Sequence, residues 1–284
     1  MWVRALTLGL LVLLFPRLSL AEPAHRVVSM NPSFTAILLA IGAGGSLVGV
    51  DEFSAREQPA IADLPRVGGL YNPGLEAVVA LAPDLVVLVP SAEQRDFRAR
   101  LATLDIPCLE LNPLRFDEVL EAIERLGARV GRDEAAAARV REIRRVRSGV
   151  EDATRGLPRI RTLLVLQRDP PFVVGRGSFV DEMIGAAGAE NVGAEFDEPY
   201  PRVTREWIID AAPEVILDSS DSPDDARQYW SQWPSLPAVR RGRVISLGGG
   251  IATLPGPYLD RALLAIAGAI HGPEVVAPLA EPGS

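Results

Sequence analysis

Short apolar runs alternate with amphipathic runs along most of the chain, a pattern that is typical of an α/β fold. In the first part of the chain the predicted strands are "RVVSM", "LVGV", "DLVVLV" and "PCLEL", and the predicted helices are "SFTAILLAIGA", "GLEAVVALA" and "AEQRDFRARLATLD". Ser33 is expected to cap the first helix and Gly42 to end it. These elements predict an N-terminal α/β lobe over residues 22–113.

A long segment without strand character follows this lobe. It reads "FDEVLEAIERLGARVGRDEAAAARVREIRRVRSGVEDATRG" and is interrupted only around Gly131 to Asp133. A helix from Asp133 to about Thr154 would span roughly 30 Å, at 1.5 Å per residue. Glutamates interleave with its arginines, which favours a solvated helix face over a nucleic-acid surface. The sequence therefore predicts a helical linker over 114–156 that contains one long backbone helix.

The alternation resumes beyond the linker. The runs "RTLLVLQ", "GSFVDEMIGAAGA", "REWIIDAAPEVILD", "PDDARQYWSQW", "RVISL" and "YLDRALLAIAGAI" predict a C-terminal α/β lobe over 157–272. The Pro- and Gly-bearing residues 273–284 are expected to form a loose tail. The predicted fold class is thus α/β, with two Rossmann-like lobes joined by a single long α-helix.

A similar helix–strand element occurs in both lobes, as "LEAVVALAPDLVVL" in the first and "REWIIDAAPEVILD" in the second. Three residue pairs share the same sequence offset: Glu76 and Glu206, Pro83 and Pro213, Asp84 and Glu214. A glutamate near a helix N-terminus is favoured by the helix dipole, so neither glutamate alone requires a functional explanation. Their recurrence at the same place indicates that the two lobes share a plan.

The N-terminus has the three parts of a secretory signal peptide over residues 1–21. "MWVR" is a positive start, "ALTLGLLVLLF" an apolar core, and "LSLA" offers small residues for cleavage after Ala21. The apolar run is short for a membrane span and is broken by Pro16 and Arg17. An uncleaved anchor is the alternative. The mature protein is expected to be soluble and exported.

Composition excludes several classes of function. A net charge of −8 and a pI of about 5.0 argue against nucleic acid as a partner. All 29 basic residues other than histidine are arginine, so a P-loop lysine and a Schiff base are excluded. Only His25, His271 and Cys108 offer histidine or thiol ligands, so no metal site is predicted, and Cys108 is expected in the core. No catalytic constellation stands out, and the protein is predicted not to be an enzyme.

The stretches "RVVSMNPSFTAILLAIGAGGSLVGV" and "LPRVGGLYNPGLEAVVALAPDLVVL" resemble the first lobe of helical-backbone periplasmic binding proteins. Those proteins serve ABC importers of cobalamin, haem and ferric siderophores. "PPF", "GAEN" and "PYPRVTRE" are most similar to the cobalamin-binding branch, and the resemblance covers about Arg26 to Gly272. It implies a periplasmic monomer without a cofactor of its own, which holds a metal chelate such as cobalamin in a cleft between the lobes. It also implies a permease dimer as partner, through which alone the protein meets the membrane.

The resemblance implies roles for individual residues. The loops expected to face the ligand contribute Ser33, Phe34, Phe53, Tyr71, Asn72, Phe172, Tyr200, Gly249 and Thr253, and the loop from Val89 to Ser91 is expected to face it as well. Packing within or between the lobes is the alternative role for each aromatic side chain. Glu76 and Glu206 stand where the family docks onto permease arginines, where charge pairs mainly set orientation and association rate.

The sequence departs from the cobalamin binders in "GGGIATLPGPY", which lacks the acidic and basic residues expected after the "RVISL" strand. A ferric siderophore or haem is therefore an alternative ligand, and haem would need a tyrosine as its axial ligand. Two alternatives belong to other classes. One is an exported enzyme on a two-lobe α/β scaffold, and the other is a structural or signalling module with a vestigial cleft.

Overall fold

A computed structural model describes residues 22–69, 72–92, 95–248, 250 and 253–280 of the chain. The predicted signal peptide, residues 1–21, lies outside the described residues. Within the described ranges, no helix combines the length and apolar character that a bilayer span requires.

The N-terminal lobe is a parallel four-stranded sheet with helices around it. Its strands lie in the order β2-β1-β3-β4. Along the chain its elements are β1 (Val27–Ser29), α1 (Pro32–Ala40), β2 (Leu47–Val50), α2 (Glu52–Glu57), α3 (Leu75–Ala80), β3 (Leu85–Leu88), α4 (Arg95–Thr103) and β4 (Cys108–Glu110). The strands β1 and β3 are fully buried, as expected for central parallel strands covered on both faces.

The start of α1 differs from the expectation. Asn31, not Ser33, is the N-cap: its side-chain oxygen accepts a hydrogen bond from the Ser33 amide at 2.9 Å, and Pro32 occupies the first helical position. Asparagine is a strong N-cap and proline suits the first turn, so the pair outcompetes the serine two residues later. Gly42 follows the helix with φ of 74°, in agreement with its predicted role. Cys108 is half-buried at the start of β4 instead of lying in the core.

Two helices connect the lobes. They are α5 (Phe116–Arg129) and the 21-residue α6 (Asp133–Ala153), separated by a turn in which Gly131 has φ of 64°. The buried face of α6 consists of Ala136, Val140, Ile143, Val146 and Val150, spaced three or four residues apart as a helix stripe requires.

The C-terminal lobe has a mixed five-stranded sheet. Its main path is β6-β5-β8-β9, with β7 also pairing β5 and only β6 antiparallel. Its elements are β5 (Arg161–Arg168), β6 (Pro171–Val173), α7 (Phe179–Ala186), β7 (Glu190–Asn191), α8 (Arg205–Ala211), β8 (Val215–Asp218), α9 (Pro223–Trp230), α10 (Pro237–Arg240), β9 (Val244–Ser246) and α11 (Leu259–His271). The short strands β6 and β7 and the four-residue α10 were not predicted.

The predicted loose tail is wrong for residues 273–280. They form helix α12 (Pro273–Ala280), which packs against α6 and α11. Gly149 on α6 makes this packing possible, since a Cβ there would meet the Leu279 side chain at 2.7 Å. Val276 is buried in the same core. Residues 281–284 lie outside the described residues.

The largest hydrophobic cluster extends from one lobe to the other through the linker helices. It contains Phe34 and Val87 of the first lobe, Ile123 and Ile143 of the linker, and Phe179 of the second lobe. Because protein interiors are closely packed, such a continuous core resists wide opening of the cleft. The predicted architecture of two α/β lobes and a long helix is confirmed.

Candidate functional site

A cavity of ≈ 400 Å³ lies between the lobes. Both lobes and the first residues of the linker contribute to its wall, and it opens where parallel strands end, the usual location of ligand sites in α/β sheets. The described lining residues are Asn31, Ser33, Phe34, Val89, Asn112, Pro113, Leu114, Leu166, Val180, Tyr200, Thr253 and Pro255.

The first-lobe wall follows the carboxyl ends of β1 and β3. Ser33 and Phe34 are buried in the first turn of α1, which the Asn31 cap fixes in place. Beneath them lies a buried polar network in which the Thr35 hydroxyl donates to Ser29 Oγ at 2.8 Å and the Ser54 hydroxyl lies 3.0 Å from Thr35 Oγ1. This network joins the end of β1, α1 and α2, and therefore holds the wall rigid.

The strap that joins β4 to the linker, residues 112–114, lines the cavity with Asn112, Pro113 and Leu114. The second lobe holds this strap directly: the Phe179 amide donates to the Leu114 carbonyl at 2.6 Å. Arg115 and Glu182 form an ion pair at 2.8 Å just beyond it. Contacts with both lobes therefore fix the position of the strap and of its side chains.

The second-lobe wall includes Tyr200, whose phenol is half-buried and whose pKa burial raises to about 12. The phenol is thus neutral at any physiological pH. Its loop is held to the sheet because the amides of Val173 and Gly175 donate to the carbonyls of Pro201 and Pro199, at 3.1 and 2.9 Å. Position 175 must be glycine, since a Cβ there would lie 2.0 Å from the Glu198 carbonyl oxygen.

Thr253 and Pro255 belong to a loop that is fastened to α6. Arg139 donates from Nε to the Pro257 carbonyl at 2.6 Å and pairs with Asp260 at the start of α11. The backbone helix therefore positions this side of the cavity.

The structure brings together five of the residues expected to face the ligand, namely Ser33, Phe34, Val89, Tyr200 and Thr253. Phe53, Asn72 and Phe172 do not line the cavity. Phe53 is 52% exposed beside Arg56, Asn72 is exposed, and the Phe172 ring lies 5.1 Å below the Arg202 guanidinium. Tyr71 and Gly249 lie outside the described residues.

Sequence reasoning missed several lining residues: Asn31, Asn112, Pro113, Leu114, Leu166, Val180 and Pro255. The lining residues that follow β1 and β4 could have been predicted, because residues that follow parallel strands lie at one edge of the sheet, where ligand sites usually form. Val180 had none, since it belongs to the periodic pattern of α7.

The described lining contains no charged side chain. Aromatic, proline and aliphatic surface dominates, with two asparagines, two hydroxyls and one phenol as polar groups. Among the described residues, no three His, Cys, Asp or Glu side chains cluster in a way that could hold a metal ion.

The repeated glutamates occupy matching places in the two lobes. Glu76 and Glu206 each stand at the second residue of a short helix, α3 and α8, and both are exposed without an ion-pair partner among the described residues. The repeat extends to the backbone, since Ala82 and Ala212 are left-handed, with φ of 43° and 45°. Arg26 and Arg161 bind the carbonyls at the ends of α3 and α8, including those of Leu81 and Ala211.

Residues 27–249 match the family described as periplasmic binding protein. The chain belongs to this family. Its two lobes, linker helices and inter-lobe cavity are consistent with a family of exported ligand-binding proteins.

Individual periplasmic binding proteins differ in the ligands that their names give. The chain is 28% identical over 258 residues to the vitamin B12-binding protein of Vibrio parahaemolyticus, covering 90% of this chain and 93% of that protein. The solved vitamin B12-binding protein of Vibrio cholerae superimposes with a TM-score of 0.77 at 24% identity, over 89% of this chain and 98% of that one. A haem-binding protein of Pseudomonas aeruginosa superimposes with a TM-score of 0.72 at 26% identity, over 92% and 95%.

Proposed function

We propose that this periplasmic binding protein captures a corrinoid in the cavity between its lobes and delivers it to an ABC importer. The observation that carries the proposal is the cavity itself, which both lobes build jointly and whose described lining residues carry no charge. A pocket of mainly apolar surface with a few polar groups suits a large, flat and mostly apolar ring. The relatives named vitamin B12-binding proteins support a corrinoid as the ligand.

The cavity of ≈ 400 Å³ is small for a whole corrinoid. The ring would enter it edge first, and the remaining ligand would lie along the rim at the carboxyl ends of the strands. Phe53 follows β2, which neighbours β1 in the sheet, so its exposed ring is placed at this same edge. This explains how Phe53 could contact ligand without lining the cavity.

Export and delivery complete the proposal. Residues 1–21 act as a signal peptide that is removed after Ala21, and the mature protein works in the periplasm without catalysing a reaction. Glu76 and Glu206 dock onto arginines of the permease dimer. Their support is that both are exposed, unpaired among the described residues and equivalent in the two lobes.

Haem is the second candidate because the Tyr200 phenol lines the cavity. A tyrosinate can ligate haem iron. The raised pKa of Tyr200, about 12, works against this role because it favours the neutral phenol.

Calorimetric titration of the mature protein, from Glu22 onward, with cobalamin, cobinamide and haemin tests the proposal. We expect one-to-one binding of a corrinoid and no saturable binding of haemin. Haemin binding whose absorption spectrum changes in Tyr200→Phe, together with no corrinoid binding, would overturn the corrinoid assignment.

A further inference from the structure

A second depression adjoins the inter-lobe cavity at the carboxyl edge of the second lobe's sheet. It has a volume of ≈ 260 Å³ and shares Leu166 with the cavity. We call it the polar annex, and its lining residues are Val165, Leu166, Gln167, Arg168, Asp218, Ser219 and Ser220. Unlike the cavity, it is lined mainly by polar side chains.

The charge of Arg168 is fully engaged within the protein. Its Nε and Nη2 donate to the two carboxylate oxygens of Asp218 at 3.0 and 2.9 Å, and its Nη1 donates to Asp225 at 2.7 Å. Its guanidinium carbon lies 4.9 Å from the centre of the Tyr229 ring. All three guanidinium nitrogens thus donate to carboxylates, and the positive charge of Arg168 is compensated within the protein.

The ion pair between Asp218 and Arg168 is held in place by further contacts of Asp218. Its side chain is 2% exposed, and it also accepts from Trp230 Nε1 at 2.7 Å and from the Ser220 amide at 3.0 Å. Burial raises the pKa of Asp218, but these hydrogen bonds and Arg168 outweigh burial and hold it below the usual value. Two carboxylates therefore face one guanidinium, and the annex carries local negative charge.

The remaining groups of the annex are neutral. Ser219 donates its hydroxyl proton to the Leu166 carbonyl at 2.7 Å, which leaves the hydroxyl oxygen able to accept a hydrogen bond. The Gln167 side-chain amide donates a hydrogen bond to the Asp169 carbonyl at 2.9 Å, which fixes its orientation. These neutral groups can accept hydrogen bonds from ligand N–H donors, whereas the net negative charge of the Asp218–Arg168–Asp225 cluster repels ligand carboxylates.

We propose that the polar annex holds the carboxamide periphery of the ligand and thereby selects amidated corrinoids over those that carry free carboxylates. This inference rests on the proposed function, because it assumes that a corrinoid occupies the adjoining cavity. Asp225 is the specificity-determining residue, since its carboxylate is the second negative charge on Arg168 and makes the Asp218–Arg168–Asp225 cluster net negative.

The test compares dicyanocobinamide, whose periphery carries carboxamides, with dicyanocobyrinic acid, whose periphery carries carboxylates. Titrations in 1 M salt remove long-range repulsion by the acidic protein, because the Debye length is then about 3 Å. We expect the native protein to prefer cobinamide at least about tenfold, since each unfavourable charge contact costs more than a neutral hydrogen bond. Equal affinity for the two probes would overturn the inference while leaving the proposed function intact.

Asp225→Asn and Asp224→Asn form a matched pair. Both remove one negative charge from the first turn of α9, but Asp224 pairs with Arg227 and does not contact Arg168. Asp225→Asn should remove the net negative charge of the Asp218–Arg168–Asp225 cluster and strengthen cobyrinic acid binding by about fivefold, whereas Asp224→Asn should not. An equal change in cobyrinic acid affinity in both variants would overturn the role of Asp225. If neither probe binds the native protein, the proposed function fails together with this inference.

Discussion

The phenol of Tyr200 is the one titratable group in the described cavity lining. Burial raises its pKa to about 12, so it offers the ligand a neutral hydroxyl. Around it, Asn31, Ser33, Asn112 and Thr253 supply further neutral polar groups. Binding in this cavity should therefore depend on shape and hydrogen bonding and should change little with pH in the neutral range.

Alkaline titration checks the environment of Tyr200. Below pH 10 the phenol is protonated in both folded and unfolded chains, but between pH about 10 and about 12 only the unfolded chain ionises it. The free energy of unfolding should therefore fall across this window by more in the native protein than in Tyr200→Phe. Tyr258→Phe, which removes an exposed phenol, is the control. If the free energy of unfolding falls equally in the native protein and in Tyr200→Phe over this pH range, the phenol is not buried as described.

Among the secondary-structure elements, α6 fixes the cavity loop that carries Thr253 and Pro255. The Arg139–Asp260 pair has side chains that are 20% and 10% exposed, and it joins α6 to α11 directly beside the Pro257 carbonyl. A charge left alone after removal of its partner at such a position is costly. We infer that this contact serves the cavity as well as stability.

Arg139→Met and Asp260→Asn should each lower the free energy of unfolding by about 2 to 3 kcal/mol, less than for a fully buried pair. The double variant should lose less free energy of unfolding than the sum of the two single losses, which a double-mutant cycle measures.

Hydrogen exchange of residues 253–257 without ligand should accelerate in Arg139→Met. Arg125→Met, which breaks an exposed pair with Glu121, should cost under about 1 kcal/mol and leave that exchange unchanged. Additive losses in the cycle would show that the pair does not act as a unit.

Most elements of the fold could be predicted because their hydrophobic period was unambiguous, as in α6 and in the repeated α3–β3 and α8–β8 units. The Asn31 cap of α1 was a local signal that was misassigned to Ser33, whereas the failures at α12 and β6 occurred where tertiary contacts decide local structure. Helix α12 contains Pro278 and depends on packing against Gly149, and β6 is a three-residue strand that begins at a proline. The same holds for the cavity: the resemblance pointed to Tyr200 and Thr253, but only folding brings the strap over Asn112 to Leu114 between the lobes.

Over the whole molecule, two similar lobes are joined by a continuous core and present Glu76 and Glu206 at equivalent positions. Two matching charges on two lobes suit a partner with two-fold symmetry, such as a permease dimer. Neither glutamate lines the cavity, so the proposed docking role can be tested separately from ligand binding.

Glu76→Ala combined with Glu206→Ala should leave ligand affinity unchanged and reduce ligand uptake in cells that carry the cognate permease. Because rim charges mainly set orientation and association rate, the loss should lessen when the binding protein is overproduced. Glu52→Ala with Glu57→Ala changes the net charge equally at another exposed helix and is the control. Unchanged uptake in the Glu76/Glu206 variant would contradict the docking role.

The central claim is that the ligand occupies the cavity between the lobes, and filling that cavity tests it most directly. Leu114 lines the cavity and is 39% exposed, whereas Leu104 is 50% exposed in the turn after α4 and does not line it. Calorimetric titration of Leu114→Trp and Leu104→Trp with cobinamide is the measurement. The account predicts that Leu114→Trp remains folded and loses binding while Leu104→Trp binds as the native protein does; native-like binding by folded Leu114→Trp would contradict it.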